Sequence, residues 1–318
     1  MNKIMSGKIS LINFKLPKKK ILIKNLCKKY NWNYEKILEK TGIKYTYHSS
    51  TKESAITLAV KACAKIVKKN KNIDALIYVT QSPEYHLPTN ACVIQNKLGL
   101  KKNIISFDVN QGCSGFIYGL FLSQQLLNAK SINNVLLICS DTYTKNIHKT
   151  NKSCLSIFSD GASAILIKKY RKKNNKFVFY TDGSGADDLK LNFSGNQFKK
   201  NRKPELFMDG RKILSFTMNI VPNIVNETLK KNKITYENIK YVIFHQASKI
   251  VIDNLVRKLS IPKNKVFRNY NKFGNTVSST IPICLYELMK KKLIKKGDKI
   301  LICGFGVGLS VGSTIIEI

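Results

Sequence analysis

Ala75-Leu-Ile-Tyr-Val-Thr-Gln-Ser82 returns in modified form as Tyr241-Val-Ile-Phe-His-Gln-Ala-Ser248, and this repeat guides the interpretation of the rest of the chain. Each copy is a short apolar run, rich in β-branched and aromatic residues, followed by polar side chains. Such a run predicts a buried strand that ends at a polar edge. A strand that recurs after about half the chain indicates a duplicated structural unit.

Three further matches follow in the same order along the two halves of the chain. Two of them are Asn134–Ser140 with Asp298–Gly304, and Gly161–Ile167 with Gly312–Ile318. In the third, Cys113 and Asn275 occupy equivalent turns before a helix. The sequence therefore predicts two copies of one α/β unit, residues 1–175 and residues 176–318, which face each other and leave a site near their pseudo-dyad.

Apolar strand-like runs alternate with amphipathic stretches throughout the chain, which favours an α/β fold with largely buried sheets. The strand candidates are Ala75–Thr80, Ile104–Val109, Val135–Ser140, Ala162–Ile167, Tyr241–His245, Lys265–Arg268, Ile300–Cys303 and Ser313–Ile318. The helix candidates are Ala55–Lys69, Gly115–Asn128, Phe216–Lys231 and Lys249–Leu259.

The charge of the chain is strongly positive, at +36 over 318 residues, from 55 Lys and Arg against 19 Asp and Glu. Such an excess attracts polyanions. Only five of the basic residues are arginine, however, and specific readers of nucleic acid depend on arginine forks. We therefore attribute the charge mainly to a lysine-rich composition and expect no nucleic-acid partner.

The eight cysteines lie mostly inside apolar runs, and no CxxC pair occurs. This pattern is typical of small buried side chains rather than of a zinc ribbon or a disulfide framework. The N-terminus shows no continuous apolar signal segment, and no run approaches 18 apolar residues. We expect a cytoplasmic protein that does not interact with membranes.

Cys113 lies in a turn that follows a predicted strand and opens an apolar helix, between Gly112 and Gly115. The free N–H groups and the dipole at a helix N-terminus favour a thiolate, so Cys113 is a candidate nucleophile. The alternative is a small residue that a tight strand-to-helix turn requires.

His245 and Asn275 are the other candidate catalytic residues. His245 ends a predicted strand, where α/β proteins place ligands, although a lone histidine is more often a hydrogen-bonded core residue. Asn275 precedes a helix and could equally be a cap. The repeat places Cys113 and Asn275 at related positions, with His245 on the strand before Asn275, so the three side chains are predicted to converge.

The glycine-rich segment Gly304-Phe-Gly-Val-Gly-Leu-Ser-Val-Gly312 follows a strand. It does not match the GxxxxGK[ST] pattern of a phosphate-binding loop, and the helix that would follow such a loop is not predicted. Its backbone N–H groups are better suited to holding a developing oxyanion.

Together these residues resemble the β-ketoacyl-acyl-carrier-protein synthase III family of the thiolase superfamily. The resemblance runs from about Thr41-Gly-Ile43 to the C-terminus. Its motifs are Gln111-Gly-Cys113-Ser-Gly-Phe, Phe158-Ser-Asp-Gly-Ala, His245-Gln-Ala-Ser, Gly274-Asn275-Thr and Gly304-Phe-Gly-Val-Gly. It implies a thiolase-like fold in which the two halves pack as a five-layered αβαβα body, and a homodimer.

The resemblance also implies a two-step reaction. Cys113 takes an acyl group from a thioester, with the backbone N–H groups of Cys113 and Val307 as the oxyanion site. His245 and Asn275 then stabilise the enolate that malonyl carrier protein forms when it loses CO₂, and the carbanion attacks the acyl group. No metal or redox cofactor is required. Acyl carrier protein is the implied partner.

Further roles follow from the resemblance for residues around this centre. Leu87 and Phe305 are implied to bind substrate, Leu87 from across the dimer, although plain interface packing would also explain Leu87. Carrier docking is expected at Lys249, Arg257 and Lys258. Lys36, Lys152 and Ile250 stand where the family often has residues that hold coenzyme A or the carrier, which makes an acyl-carrier-protein donor plausible.

Three alternatives stay open at this point. One is an acyltransferase of the same fold that moves the acyl group from Cys113 to an amine or a hydroxyl group. Hydroxymethylglutaryl-coenzyme A synthase is disfavoured, because it needs a glutamate in the segment that contains Gln81. A polyanion-binding protein without enzymatic activity would explain the charge but not the three candidate catalytic residues.

Overall fold

The computed structural model describes residues 6–170 and 176–318, which form thirteen strands and ten helices. The strands are β1 (Ser6–Lys15), β2 (Lys19–Leu22), β3 (Tyr45–His48), β4 (Ala75–Val79), β5 (Ile105–Val109), β6 (Asn134–Asp141), β7 (Gly161–Tyr170), β8 (Phe177–Thr181), β9 (Leu189–Asn192), β10 (Glu205–Met208), β11 (Ile239–Phe244), β12 (Lys299–Gly306) and β13 (Ser310–Glu317). The helices are α1 (Ile23–Tyr30), α2 (Tyr34–Thr41), α3 (Ala55–Lys69), α4 (Asn90–Lys97), α5 (Gly115–Leu127), α6 (Lys152–Leu155), α7 (Gly210–Asn232), α8 (Lys249–Lys258), α9 (Tyr270–Phe273) and α10 (Thr280–Lys290).

Two mixed sheets form the centre of the protein and have corresponding strand orders. The first sheet has the order β1-β7-β6-β4-β5, and the second has the order β8-β13-β12-β11. In each sheet a central parallel pair, β4 with β6 or β11 with β12, is followed by two antiparallel pairings. This correspondence confirms the duplication predicted from the sequence. The predicted boundary between the halves, after residue 175, borders residues 171–175, which lie outside the described residues.

Among the described residues the second sheet has no counterpart of β5, and the predicted strand Lys265–Arg268 is wrong. Lys263–Lys265 forms a single 3-10 turn after Pro262, and one parallel bridge from Val266 to Val242 is all that remains of a fifth strand. Val266 and Phe267 are the only apolar side chains of Lys265–Arg268, between one lysine and one arginine, and this run is too short to extend a ladder.

The helices form three layers around the two sheets. Helices α5 and α10 lie between the sheets, since α5 contacts β4 and β6 as well as β12 and β13, and α10 contacts β1, β7 and β11. Helix α3 covers the outer face of the first sheet, and α7 covers the outer face of the second. The result is the αβαβα body expected from the resemblance.

The sequence of each helix fits its layer. Helix α5 is apolar on nearly all sides, as a helix between two sheets must be. A side chain at Gly119 would meet Leu137 of β6, so glycine allows α5 to approach the first sheet closely. Helix α3 is amphipathic, with Ser54 and Thr57 forming a capping box at its start.

The predicted bounds of the other elements agree to within a few residues, with one larger difference. Helix α7 begins six residues before the predicted Phe216, because the Asp209 side chain caps it by accepting the backbone N–H groups of Arg211 and Lys212. Within residues 6–170 and 176–318, none of the helices combines the length and the apolar character that a membrane crossing needs.

Candidate active site

Cys113 lies in the turn between β5 and α5, two residues before the helix, and is 4% exposed. Glycines on two sides make room for it. A Cβ atom at Gly115 would lie 2.5 Å from Val79, and one at Gly306 would lie 3.1 Å from the Cys113 sulfur. The turn therefore holds the thiol against the end of β12, in the glycine-rich segment singled out in the sequence.

The protonation of Cys113 differs from the expectation for a helix N-terminus. Burial raises the pKa of the thiol to about 12, and the nearby Asp141 carboxylate adds to the rise. The backbone N–H groups of Cys113 and Val307 reach the sulfur and lower its pKa, but not enough to offset burial. Burial therefore favours the thiol over the thiolate at Cys113, against the expectation from the helix N-terminus, because desolvation outweighs the local dipoles.

His245 follows β11 directly and continues its ladder, donating its backbone N–H to Cys303 at 2.8 Å. Burial lowers the pKa of the imidazole to about 3, so the ring is neutral. Its Nδ1 lies 2.8 Å from the Thr280 hydroxyl, and the Phe305 ring meets it edge-on at 5.6 Å between centroids. Phe305, expected at the substrate, therefore packs against the candidate catalytic histidine.

Asn275 is fixed by its backbone and by its side-chain oxygen. Its backbone N–H donates to the Ile157 carbonyl, and its own carbonyl accepts the N–H of Ser159, both at 2.9 Å. The side-chain oxygen Oδ1 accepts the backbone N–H of Val277 at 2.9 Å. Asn275 is not the helix cap of the alternative interpretation, because Thr276 and Ser279 hold the N-cap positions of the two helical turns that follow. Its contact with Val277 is a turn within the loop, and this orientation leaves the amide Nδ2 as a donor for a ligand.

Cys113, His245 and Asn275 all line one cavity of about 740 Å³, together with Phe305 and Gly306. The structure thus brings together the three residues that the sequence predicted to converge. The cavity extends past α2, α6 and α7, where the exposed side chains of its lining include four cations beside Ser153, Phe207 and Ile250. The four cations are Lys36, Lys40, Lys152 and Arg211.

The predicted docking residues are only partly near this cavity. Lys249 begins α8 beside Ile250, which lines the cavity. Arg257 and Lys258 end the same helix, about 12 Å further along its axis. The four cations of the cavity lining were not recognised as a docking group, because they come from three separate helices that only the fold brings together.

Leu87 does not line the cavity that its own chain's three catalytic candidates share. It is 89% exposed, within the irregular segment between β4 and α4. It lines neither the main cavity nor a second one of about 450 Å³, which borders its neighbour His86.

Three residues near the site were missed in the sequence. Asp141, at the end of β6, is fully buried, and its carboxylate accepts the backbone N–H of Gln81 at 2.7 Å and the Ser278 hydroxyl at 2.9 Å. Burial raises the pKa of Asp141 to about 7. An acid that ends an apolar strand was a detectable signal.

The second cavity reveals the other two, Tyr143 and Gln81, of which Gln81 was named from the sequence only as a departure from the glutamate of another enzyme. The Tyr143 hydroxyl donates to Gln81 Oε1 at 2.6 Å, and both residues line this cavity. Tyr143 also belongs to the same apolar cluster as Cys113. A tyrosine after a strand carried no signal of this kind in the sequence.

Comparisons with known proteins give consistent results. A family model described as 3-oxoacyl-[acyl-carrier-protein (ACP)] synthase III matches residues 107–184, and the model of its C-terminal part matches residues 229–318. The β-ketoacyl-[acyl-carrier-protein] synthase III of Fusobacterium nucleatum is 32% identical over 307 residues, which cover 90% of this chain and 93% of that protein. The enzyme of the same name from Clostridium perfringens is 34% identical over 294 residues, covering 89% and 90%.

Solved structures agree with these relatives. A 3-oxoacyl-(acyl-carrier-protein) synthase III superposes with a TM-score of 0.93 and 32% identity, over 98% of this chain and 100% of that one. The Aquifex aeolicus synthase III gives 0.90 and 29%, over 98% and 100%. The priming β-ketosynthase of the R1128 polyketide pathway also gives 0.93, over 100% and 98%, but at 24% identity it is similar in fold alone.

Proposed function

This chain belongs to the 3-oxoacyl-[acyl-carrier-protein] synthase III family, and on that premise we propose how its own residues carry out the condensation. It is an acyltransferase of the condensing type, with a thiolase-like fold. We propose Cys113 as the acyl acceptor, and His245 with Asn275 as the pair that activates malonyl carrier protein. The observation that supports this division is the single buried cavity that all three residues line.

The first step transfers an acyl group to Cys113. The Cys113 sulfur forms a bond to the thioester carbonyl carbon, and the bond from that carbon to the donor sulfur breaks. Cys113 loses its proton, and the leaving donor thiolate takes one up, so no net proton is gained or lost. The backbone N–H groups of Cys113 and Val307 both reach the sulfur, so an oxyanion on the adjacent carbon would lie within their range. Because burial favours the thiol, the proton must leave as the bond forms.

The second step forms the carbon–carbon bond. Malonyl carrier protein loses CO₂, and the electron pair of the broken bond becomes an enolate whose oxygen needs hydrogen-bond donors. Asn275 offers Nδ2, since its Oδ1 is occupied by Val277. The enolate carbon attacks the acyl carbonyl, the Cys113 thiolate leaves and takes up a proton, and a β-ketoacyl thioester remains.

Condensation is favoured over acyl transfer to an amine or a hydroxyl group. An enolate must be stabilised without being protonated at carbon, so neutral donors suit it better than an acid. His245 is neutral because burial lowers its pKa to about 3, and an amide such as Asn275 does not ionise. Neither the acyl transfer nor the condensation is a net oxidation or reduction of the two thioester substrates. We therefore propose that no metal or redox cofactor takes part.

Acyl carrier protein is the proposed partner. The exposed cations of the cavity lining, Lys36, Lys40, Lys152 and Arg211, suit an acidic protein whose thioester arm enters the cavity. Lys249, next to Ile250, extends this surface. Arg257 and Lys258 stay part of the proposed docking surface only at its edge, given their position at the far end of α8.

We also propose a homodimer in which Leu87 contributes to the partner subunit's acyl site. What supports it is a pair of exposed apolar side chains in one irregular segment, Tyr85 and Leu87, since neighbouring exposed apolar side chains mark interaction surfaces. The proposed compartment is the cytoplasm. All eight cysteines are free thiols, and a nucleophilic Cys113 needs a reducing environment.

The function is tested by product analysis. Purified enzyme would be incubated with malonyl carrier protein and a panel of acyl-carrier-protein and acyl-coenzyme A donors, and the carrier protein would be analysed by mass spectrometry. We expect release of CO₂ and a β-ketoacyl carrier protein with at least one donor. An acyl group transferred to an added amine or alcohol, with malonyl carrier protein unchanged, would instead support the acyltransferase alternative.

A further inference from the structure

His245 is a neutral imidazole, and a neutral imidazole carries one N–H. It can therefore donate through Nδ1 or through Nε2, but not through both. The ring is 2% exposed, and Nδ1 faces the protein rather than the cavity, at 2.8 Å from Thr280 Oγ1. The hydrogen bond between Nδ1 and Thr280 uses either the ring proton or the hydroxyl proton. Which of the two it uses determines whether Nε2 offers a ligand an acceptor or a donor.

Two arrangements of the Thr280 hydroxyl proton are compatible with the heavy atoms. Oγ1 lies 2.8 Å from His245 Nδ1 and 3.1 Å from the Val277 carbonyl oxygen. If the hydroxyl donates to Val277, then Nδ1 must carry the imidazole proton and Nε2 is an acceptor. If the hydroxyl donates to Nδ1, then Nε2 carries the proton and is a donor.

The hydrogen bonds around Val277 favour the second arrangement. The Val277 carbonyl already accepts the backbone N–H of Thr280 where the 3-10 turn Val277–Ser279 ends, so it is satisfied without the hydroxyl. The Nδ1 atom is buried and needs a hydrogen-bond partner in either tautomer, and Thr280 is that partner. The shorter of the two contacts is also the one to Nδ1.

We propose that Thr280 is a positioning residue that holds His245 in the tautomer protonated at Nε2. Thr280 is the first residue of α10, and its neighbours hold this end of the helix in place. Ser278 donates to the Asp141 carboxylate and Ser279 donates to the Cys139 carbonyl, both at 2.9 Å. The hydroxyl that meets Nδ1 is thus anchored to β6 rather than free to move.

The segment Asn275–Thr280 orients both of the side-chain donors that are proposed for the enolate. Its first residue, Asn275, turns Nδ2 outward because Val277 holds Oδ1, and its last residue, Thr280, turns the imidazole proton to Nε2. This six-residue segment therefore gives the site an N–H donor at Asn275 Nδ2 and another at His245 Nε2, and an acceptor at neither atom. The tautomer assignment stands on the neutral ring and on the contacts of Thr280, whereas its consequence for catalysis rests on the proposed function.

The tautomer can be read without any substrate. Long-range proton–nitrogen correlation spectra of enzyme labelled with ¹⁵N-histidine distinguish protonated from unprotonated ring nitrogens, and His245→Gln identifies the signals of this ring among the four histidines. We expect protonation at Nε2 in the wild type and in Thr280→Ser, and a larger Nδ1-protonated population in Thr280→Val. A wild-type ring protonated at Nδ1 would overturn the proposal, even if the Thr280→Val variant does not fold.

The catalytic consequence is tested on the two half-reactions. Thr280→Val should lower malonyl decarboxylation by about 10-fold to 100-fold, as for the loss of a partner that orients a functional histidine, and Thr280→Ser should restore it. Acylation of Cys113 should stay within about twofold. Thr228→Val is the matched control, since Thr228 is equally buried and its hydroxyl only bonds a main-chain carbonyl of α7.

The possible failures are distinguishable. Unchanged decarboxylation in a folded Thr280→Val enzyme would overturn the positioning role. A wild-type enzyme that shows Nε2 protonation but never decarboxylates malonyl carrier protein would contradict the proposed function and leave the tautomer assignment intact.

Discussion

The side-chain oxygen of Asn275 accepts the backbone N–H of Val277 at 2.9 Å, and this contact determines which end of the amide faces the cavity. Val277 has a positive φ of 54°, a conformation that a β-branched residue rarely adopts. The strained turn lets the N–H of Val277 reach back to Asn275. The cavity therefore receives an N–H donor rather than a carbonyl acceptor.

Asn275→Asp tests the role of this donor directly. A carboxylate can still accept the Val277 N–H, so the turn should be retained, while Nδ2 is lost and a negative charge faces the enolate. Malonyl decarboxylation should fall by about 100-fold to 1,000-fold, the cost of losing one oxyanion donor, and acylation of Cys113 should change little. Asn275→Ala should show the same division.

Separate assays of Cys113 acylation and of malonyl decarboxylation measure these two effects. Asn223→Asp on the exposed side of α7 is the matched control. Equal loss of both steps in the Asn275 variants would contradict separate roles for Cys113 and Asn275.

Gly306→Ala should block the nucleophile. An added Cβ would lie 2.9 Å from Cys113 Cβ and 3.1 Å from its sulfur, closer than packed carbon atoms allow, so Cys113 must shift. We expect acylation to slow by at least about tenfold, since misplaced reacting atoms cost this much or more, and stability to fall by about 1–3 kcal/mol.

Gly297→Ala controls for backbone strain, because Gly297 also has a positive φ but a Cβ there meets open space. Urea unfolding and acyl-enzyme mass would be followed for both variants. Normal acylation of Gly306→Ala would show that the thiol does not need its observed position.

Asp141 should make the protein less stable as the pH rises through the acidic range. Its folded pKa, about 7, lies above the ordinary value of 3.8. Between about pH 4 and pH 7 the folded state therefore holds a proton that the unfolded state has released, so the free energy of unfolding falls as pH rises. A shift of this size corresponds to about 4 kcal/mol.

Asp141→Asn should remove this part of the pH dependence. Denaturant unfolding at several pH values would compare the two proteins, and their difference isolates Asp141 from the other titrating groups. Parallel stability curves from pH 4 to pH 7 would contradict a buried, protonated Asp141.

Carrier-protein binding should weaken as salt rises, because the proposed contacts are between exposed charges. Lys40→Glu with Lys152→Glu should raise the dissociation constant by about tenfold or more at low salt, and Arg257→Glu should have a smaller effect because Arg257 lies at the far end of α8. Lys65→Glu on α3 controls for net charge, since it lies on another face. A dissociation constant that does not change with salt would contradict electrostatic docking.

The catalytic candidates could be predicted because each interrupts a strong local pattern. His245 follows a buried apolar strand, and Cys113 and Asn275 stand beside glycines in turns that the repeat relates to each other. The duplication was predictable for the same reason, since each copy carries its own hydrophobic pattern.

The residues that orient the catalytic groups were not predictable. Val277-Ser-Ser-Thr280 reads as the ordinary start of a helix, and which hydroxyl meets His245 depends on the positive φ of Val277. The strand β1 was missed as well. Its lysines obscure the alternation, and its hydrogen bonds go to β7, about 155 residues away. Contacts of such long range depend on the assembled fold rather than on any local pattern.

The central claim is that Cys113 carries the acyl group. The most direct test is the intact mass of the enzyme after incubation with the donor panel, followed by peptide mapping, for the wild type and for Cys113→Ala. We predict one added acyl group on the peptide that contains Cys113 in the wild type, and no adduct in the variant. An acyl adduct that persists in Cys113→Ala, or that maps to the exposed Cys92, would contradict the account.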